Sequence, residues 1–92
     1  MKTLHLPVKG IYFDQIKAGT KTEEYRLCTM YWNKRLTGRR YDQIIITRGY
    51  PARDDASRRM TFAWKGFTIK TITHEHFGHE PAAVFAIKVE QP

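Results

Sequence analysis

The 92-residue chain is too short to divide into two halves that each bury a core, so a single domain over residues 1–92 is expected. Hydrophobic residues at 41% and charged residues at 27% suit a globular protein and argue against disorder, and no apolar run approaches the roughly 18 residues a membrane span needs. Sixteen Lys and Arg against nine Asp and Glu leave a formal net charge of +7, a positive field that attracts polyanions, and aromatics reach 13%.

In chain order, Leu4, Leu6 and Val8 alternate with His5 and Pro7, the pattern of a first strand with one apolar face. From Val8 to Ala18 the period changes to helical, with Ile11, Tyr12, Gln15 and Ile16 in register, Phe13 alongside and Gly19 as the C-terminal stop. Strand character is expected to resume from Thr20 to about Leu27. A second short helix is expected over Met30 to Leu36, before Gly38. Gln43 to Thr47 contains the β-branched run Ile44-Ile45-Ile46, which predicts a strand buried on both faces. Pro51 to Arg58 is polar and rich in breakers, hence a loop. Met60 to Trp64 and Phe67 to Ile72 read as strands around Lys65-Gly66, and Ala83 to Val89 as the last strand. Late strands joined by short turns favour a mixed or antiparallel sheet, and at this length a small barrel.

The stretch Gly-Thr-Lys-Thr-Glu-Glu-Tyr-Arg at positions 19–26 sets cations against carboxylates on a short strand. Such a pattern is poor core material. It lines a polar cavity if the side chains point inward and forms a solvated edge if they point out. Gly19, Lys21, Glu24 and Arg26 fit the pattern G-x-K-x-x-E-x-R, and on these residues the chain resembles the ASCH family of the PUA-like superfamily. The lead-in from Tyr12 to Gly19, the segment Tyr41 to Tyr50 with its Arg48-Gly49-Tyr50 end, Arg58-Arg59-Met60 and Phe85-Ala86-Ile87-Lys88 are similar to a short, phage-like branch of that family. The resemblance implies an α+β fold, a small PUA-like β-barrel of five to six strands with one or two flanking helices and the motif lining a cleft. It also implies RNA binding, nuclease activity, or amide hydrolysis of an acetylated cytidine, and fold alone does not choose among them.

Within the motif, Lys21 can reach a phosphate or act as a base, and it equally suits the end of a helix through the dipole. Glu24 and Arg26 share strand parity and can be neighbours, while Glu23 and Tyr25 take the other face. Glu24 then serves proton transfer or holds Arg26 or Lys21 in place. In the amidohydrolase-like subgroup the position matching Glu24 is a threonine, and a later glutamate matches neither Glu75 nor Glu80 securely. Arg48, Gly49 and Tyr50 at a strand end suit a base or phosphate, as does Arg59, and all also suit an exposed turn.

Tyr31 and Trp32, at helical spacing, read as core, whereas Lys34, Arg35, Arg39 and Arg40 form an electrostatic signal. His74, His76 and His79 with Glu75 and Glu80 match no established ligand spacing, so no metal and no cofactor are expected. Cys28 reads as a small buried residue. Being the lone cysteine, it places the chain in a reducing, cytoplasmic setting, and no signal-peptide pattern opens the chain.

The expected function is RNA or nucleotide binding through Lys21, Glu24, Arg26, Arg48, Tyr50 and Arg59, away from membranes. The alternative is a hydrolase of a modified nucleoside or RNA with Lys21 and Glu24 catalytic. A third reading is an adaptor for an unknown protein partner.

Overall fold

A computed structural model describes residues 1–90, the His76 side chain excepted. Its elements are β1 (Thr3–Val8), α1 (Gly10–Ala18), β2 (Glu23–Leu27), α2 (Met30–Leu36), β3 (Gln43–Arg48), β4 (Arg59–Ala63), β5 (Phe67–Ile72) and β6 (Ala82–Lys88), with single 3-10 turns at Ala56–Arg58 and Glu75–Phe77. The fold is α+β, with six strands in two three-stranded sheets of order β1-β3-β4 and β2-β6-β5. β1 and β3 run parallel, and the other pairs are antiparallel. Among the described residues these ladders do not close into the single barrel expected from the sequence. One hydrophobic core instead joins the sheets, with Leu4, Leu6, Ile44, Ile46 and Phe62 from the first and Phe85 and Ile87 from the second.

The alternation of β1 follows from its burial, Leu4, Leu6 and Val8 facing inward. Pro7 is tolerated there because β1 pairs only with β3 and so is an edge strand. α1 buries Phe13 and Ile16, while Ile11, expected on the buried stripe, is exposed. A helix this short has room for one narrow apolar stripe, and Phe13 and Ile16, three apart, define it.

α1 ends at Gly19, whose φ of 81° is left-handed. The Gly19 amide donates to the Ile16 carbonyl at 3.1 Å, and the Thr20 and Lys21 amides both donate to the Gln15 carbonyl, at 3.0 and 3.2 Å. The amides of Thr20 and Lys21 are thus used in capping α1, which is why β2 begins at Glu23 rather than at Thr20. Gly19→Ala is expected to cost about 1–2 kcal/mol, since an L side chain is disfavoured at that φ although nothing blocks the space. Urea unfolding checks this, and an unchanged midpoint would count against the αL cap as the reason for the glycine.

The expectation that β3 is buried on both faces applies instead to β6. Ile44 and Ile46 are fully buried but Ile45 is only half-buried, whereas Val84, Phe85, Ala86 and Ile87 are all buried in a row. Cys28 is exposed rather than buried: its amide extends the β2–β6 ladder to the Ala83 carbonyl, but it lies just past the end of β2. No helix among the described residues is long and apolar enough to cross a membrane.

Candidate functional site

Strand register decides which way the motif points. In the β2–β6 ladder Glu24 lies opposite Ile87 and Arg26 opposite Phe85, two core residues, so Glu24 and Arg26 project toward the space between the sheets. Glu23 and Tyr25 alternate with them along β2, though the Tyr25 ring also lines the cavity that Glu24 and Arg26 reach. Lys70 Nζ meets Glu23 Oε1 at 2.7 Å and the Tyr25 hydroxyl donates to the same oxygen at 3.4 Å. Burial first, and then the Glu23 carboxylate, push the Tyr25 phenol above its ordinary pKa.

Glu24 is 4% exposed, which makes its partners decisive. Its Oε1 accepts from the Tyr25 amide at 3.1 Å and lies 3.6 Å from Lys21 Nζ and 3.7 Å from Arg26 Nη1. Its Oε2 is buried with no hydrogen-bond partner. Arg26 is anchored as much by backbone as by charge. Nη1 donates to the Tyr25 carbonyl at 2.8 Å and Nη2 to the Pro7 carbonyl at 2.7 Å, so one guanidinium ties β2 to β1 across the two sheets. Burial pulls the Arg26 pKa down, while the Glu24 carboxylate and then Tyr50 raise it. The guanidinium stays charged in any case.

These residues line a cavity of about 480 Å³, within the roughly 300–1,000 Å³ typical of small-ligand sites. Its walls are largely aromatic. Lys21 Nζ stands 5.2 Å from the Tyr12 ring centre and 4.7 Å from that of Tyr25, and the Arg26 guanidinium lies 5.4 Å from the Trp32 ring. His74 closes one side, 6.3 Å from Tyr12 between ring centres, with Phe77 behind it at 6.1 Å. Tyr50 stands at the rim and is 91% exposed, so its ring is accessible to a ligand. Gly49, beside it, has a φ of 66° and also lines the cavity.

Of the residues singled out in the sequence, Lys21, Glu24, Arg26 and Tyr50 therefore converge, and Arg48 and Arg59 do not. Arg48 packs its guanidinium over Gly10, where a Cβ would lie 2.6 Å from Nη2, and pairs with Asp14 at 3.6 Å, holding the end of β3 against α1. Arg59 donates to the Ala52 carbonyl at 3.2 Å, within the loop before β4. Glu75 and Glu80 are exposed and off the cavity wall. No cluster of three or more His, Cys, Asp or Glu among the described residues is placed to hold a metal ion.

Tyr12, Trp32 and His74 are cavity residues that the sequence reading left outside the site. Trp32 reads as core in the sequence, and it is half-buried against the core while its ring also lines the cavity; Tyr31, expected in the core beside it, is exposed. His74 carried no signal for the cavity, because a loop joins it there.

No protein-family model, no curated protein and no solved structure matches the chain.

Proposed function

We propose that this protein is an ASCH-type domain, its two sheets the halves of a PUA-like barrel, that binds RNA or a nucleotide in the cavity at the G-x-K-x-x-E-x-R motif. The observation that carries this reading is the convergence of Lys21, Glu24 and Arg26 on a cavity walled by Tyr12, Tyr25, Trp32 and Tyr50. A nucleotide pairs a flat apolar face with an anion. Aromatic walls accept the first by stacking, and a lysine and an arginine on the same wall accept the second. Lys21 is the group that reaches the anion. Two of the five Arg26 N–H donors fix its guanidinium to backbone carbonyls, whereas Lys21 is held by ring faces and a 3.6 Å ion pair that an incoming phosphate can displace.

Lys21→Ala is expected to weaken binding of a nucleoside monophosphate by about 10–100-fold at low salt, the worth of one hydrogen bond to a charged group. Isothermal titration calorimetry measures it. Unchanged affinity in the variant removes the motif from the binding site.

The second reading is hydrolysis of a modified nucleoside or of RNA, and it rests on Lys21 and Glu24 standing 3.6 Å apart in one cavity. Glutamate at position 24, and the distance of Glu75 and Glu80 from the cavity wall, set the chain apart from the amidohydrolase-like pattern. Incubation with acylated nucleosides and short RNAs decides it: turnover that Lys21→Ala abolishes supports catalysis, and turnover that survives in the variant assigns it elsewhere.

A further inference from the structure

We propose that the cavity takes one unit of a single-stranded nucleic acid, and that the strand leaves it along a ladder of rings and cations on α2. This rests on the nucleotide reading of the cavity. The ladder starts inside, where the Arg26 guanidinium stands 5.4 Å from the Trp32 ring and both line the wall. Trp32 meets Tyr31 edge to face at 5.2 Å, and the Arg35 guanidinium lies over the Tyr31 ring at 4.2 Å. Tyr31 and Arg35 are both exposed, so cation, ring, ring and cation follow one another from the buried wall to open surface.

Arg39 extends the ladder. Its Nε donates to the Lys34 carbonyl at 3.1 Å, which folds Arg39 back over the C-terminal end of α2, and Lys34 and Arg40 are exposed as well. From Leu27 to Tyr41 the chain has these four cations and no Asp or Glu. Among the described residues none of Lys34, Arg35, Arg39 and Arg40 is in a salt bridge.

Clustered like charges repel one another, and a polyanion relieves that repulsion. An arginine stacked on a tyrosine keeps its N–H edge for phosphate, and the tyrosine adds a surface on which a base can stack. An acidic peptide would match the charge, but it has no use for rings that continue into a stacking cavity. A duplex keeps its bases out of reach of such rings, so the matching partner is single-stranded. A free nucleotide would fill the cavity and leave the ladder empty.

The test compares adenosine monophosphate with a labelled single-stranded RNA of about seven nucleotides, within the usual site size of such proteins, on the full chain at several salt concentrations. The RNA is expected to bind at least about tenfold more tightly, with a steeper salt dependence. Arg35→Ala should reduce the slope of log K against log salt by about 0.7 for one lost phosphate contact. Tyr31→Ala should weaken RNA binding by about fivefold or more through lost stacking. Neither variant should shift mononucleotide affinity by more than about twofold, and circular dichroism confirms that these surface changes leave the fold intact.

Equal affinity for the two ligands overturns the ladder and leaves the cavity reading standing. Binding of neither overturns both. RNA binding that needs Tyr31 and Arg35 but is indifferent to Lys21→Ala keeps the ladder and removes the cavity reading. Displacement of the RNA by polyglutamate as effective as by unlabelled RNA shows that charge alone acts, and overturns the proposal.

Discussion

Glu24→Ala is expected to lower folding stability by about 3–5 kcal/mol, the cost of removing one partner from a buried ion pair. The reason lies in what remains. Lys21 and Arg26 have side chains 15% and 20% exposed, and the Glu24 carboxylate is the acidic group within 4 Å of both. Without it, two largely buried cations lose the anion that lies beside both, and their mutual repulsion is no longer offset. The Tyr25 amide also loses the oxygen it donates to. Arg26 keeps its two carbonyl acceptors, which places the expected cost toward the lower end of the range. Glu24→Gln separates charge from shape. Its amide oxygen can still accept from Tyr25, so a loss of about 1–2 kcal/mol is expected, the difference between a charged and a neutral acceptor. Urea unfolding with an unchanged m-value measures both. If Glu24→Ala falls within about 1 kcal/mol of the parent, the carboxylate is not what holds the two cations in place.

Much of this arrangement was legible in the sequence because the signals were local. The alternation of Leu4, Leu6 and Val8 fixed an inward face for β1, and Gly19 marked the end of α1 through a backbone angle that few other residues adopt. Strand parity put Glu24 and Arg26 on one face and Glu23 and Tyr25 on the other, which the register with β6 bears out. Inward or outward was the undecided part, and it depended on a strand some sixty residues away.

The misses share that cause. Ile44-Ile45-Ile46 looks fully buried from composition, but Ile45 is only half-buried, and the strand buried on both faces is β6, from Val84 to Ile87. Arg48 sits next to Gly49 and Tyr50 in sequence, yet Asp14 and Gly10 hold it against α1 while its two neighbours reach the cavity. Trp32, on α2, is a cavity wall because β2 brings the Arg26 guanidinium to 5.4 Å from its ring centre. Tertiary pairing chose these outcomes, and no local pattern encodes it.

Arg26→Ala is expected to cost about 3 kcal/mol, and Arg26→Lys should recover less than half of it. Two charge-assisted hydrogen bonds, each worth about 1.5–3 kcal/mol, are partly offset by the entropy regained when a long side chain is freed. The geometry explains why lysine is a poor substitute. The carbonyls of Tyr25 and Pro7 belong to strands of different sheets, and the planar fork of a guanidinium meets both at 2.8 and 2.7 Å. An ammonium is a point donor on a flexible stem and cannot be expected to satisfy both acceptors together. Full recovery in Arg26→Lys would show that position 26 supplies charge alone.

A double-mutant cycle of Glu24→Gln with Arg26→Ala, each of which removes one charge of the pair, then measures what the 3.7 Å pair itself contributes. A coupling of about 1 kcal/mol is expected, because the separation is long for an ion pair but the site is largely shielded from water. Coupling near zero would mean that Arg26 holds the sheets through the two carbonyls alone. Glu24 would then act chiefly on Lys21, the residue proposed to meet the ligand, and the motif would divide into an arginine that builds the cavity and a lysine–glutamate pair left to the proposed ligand.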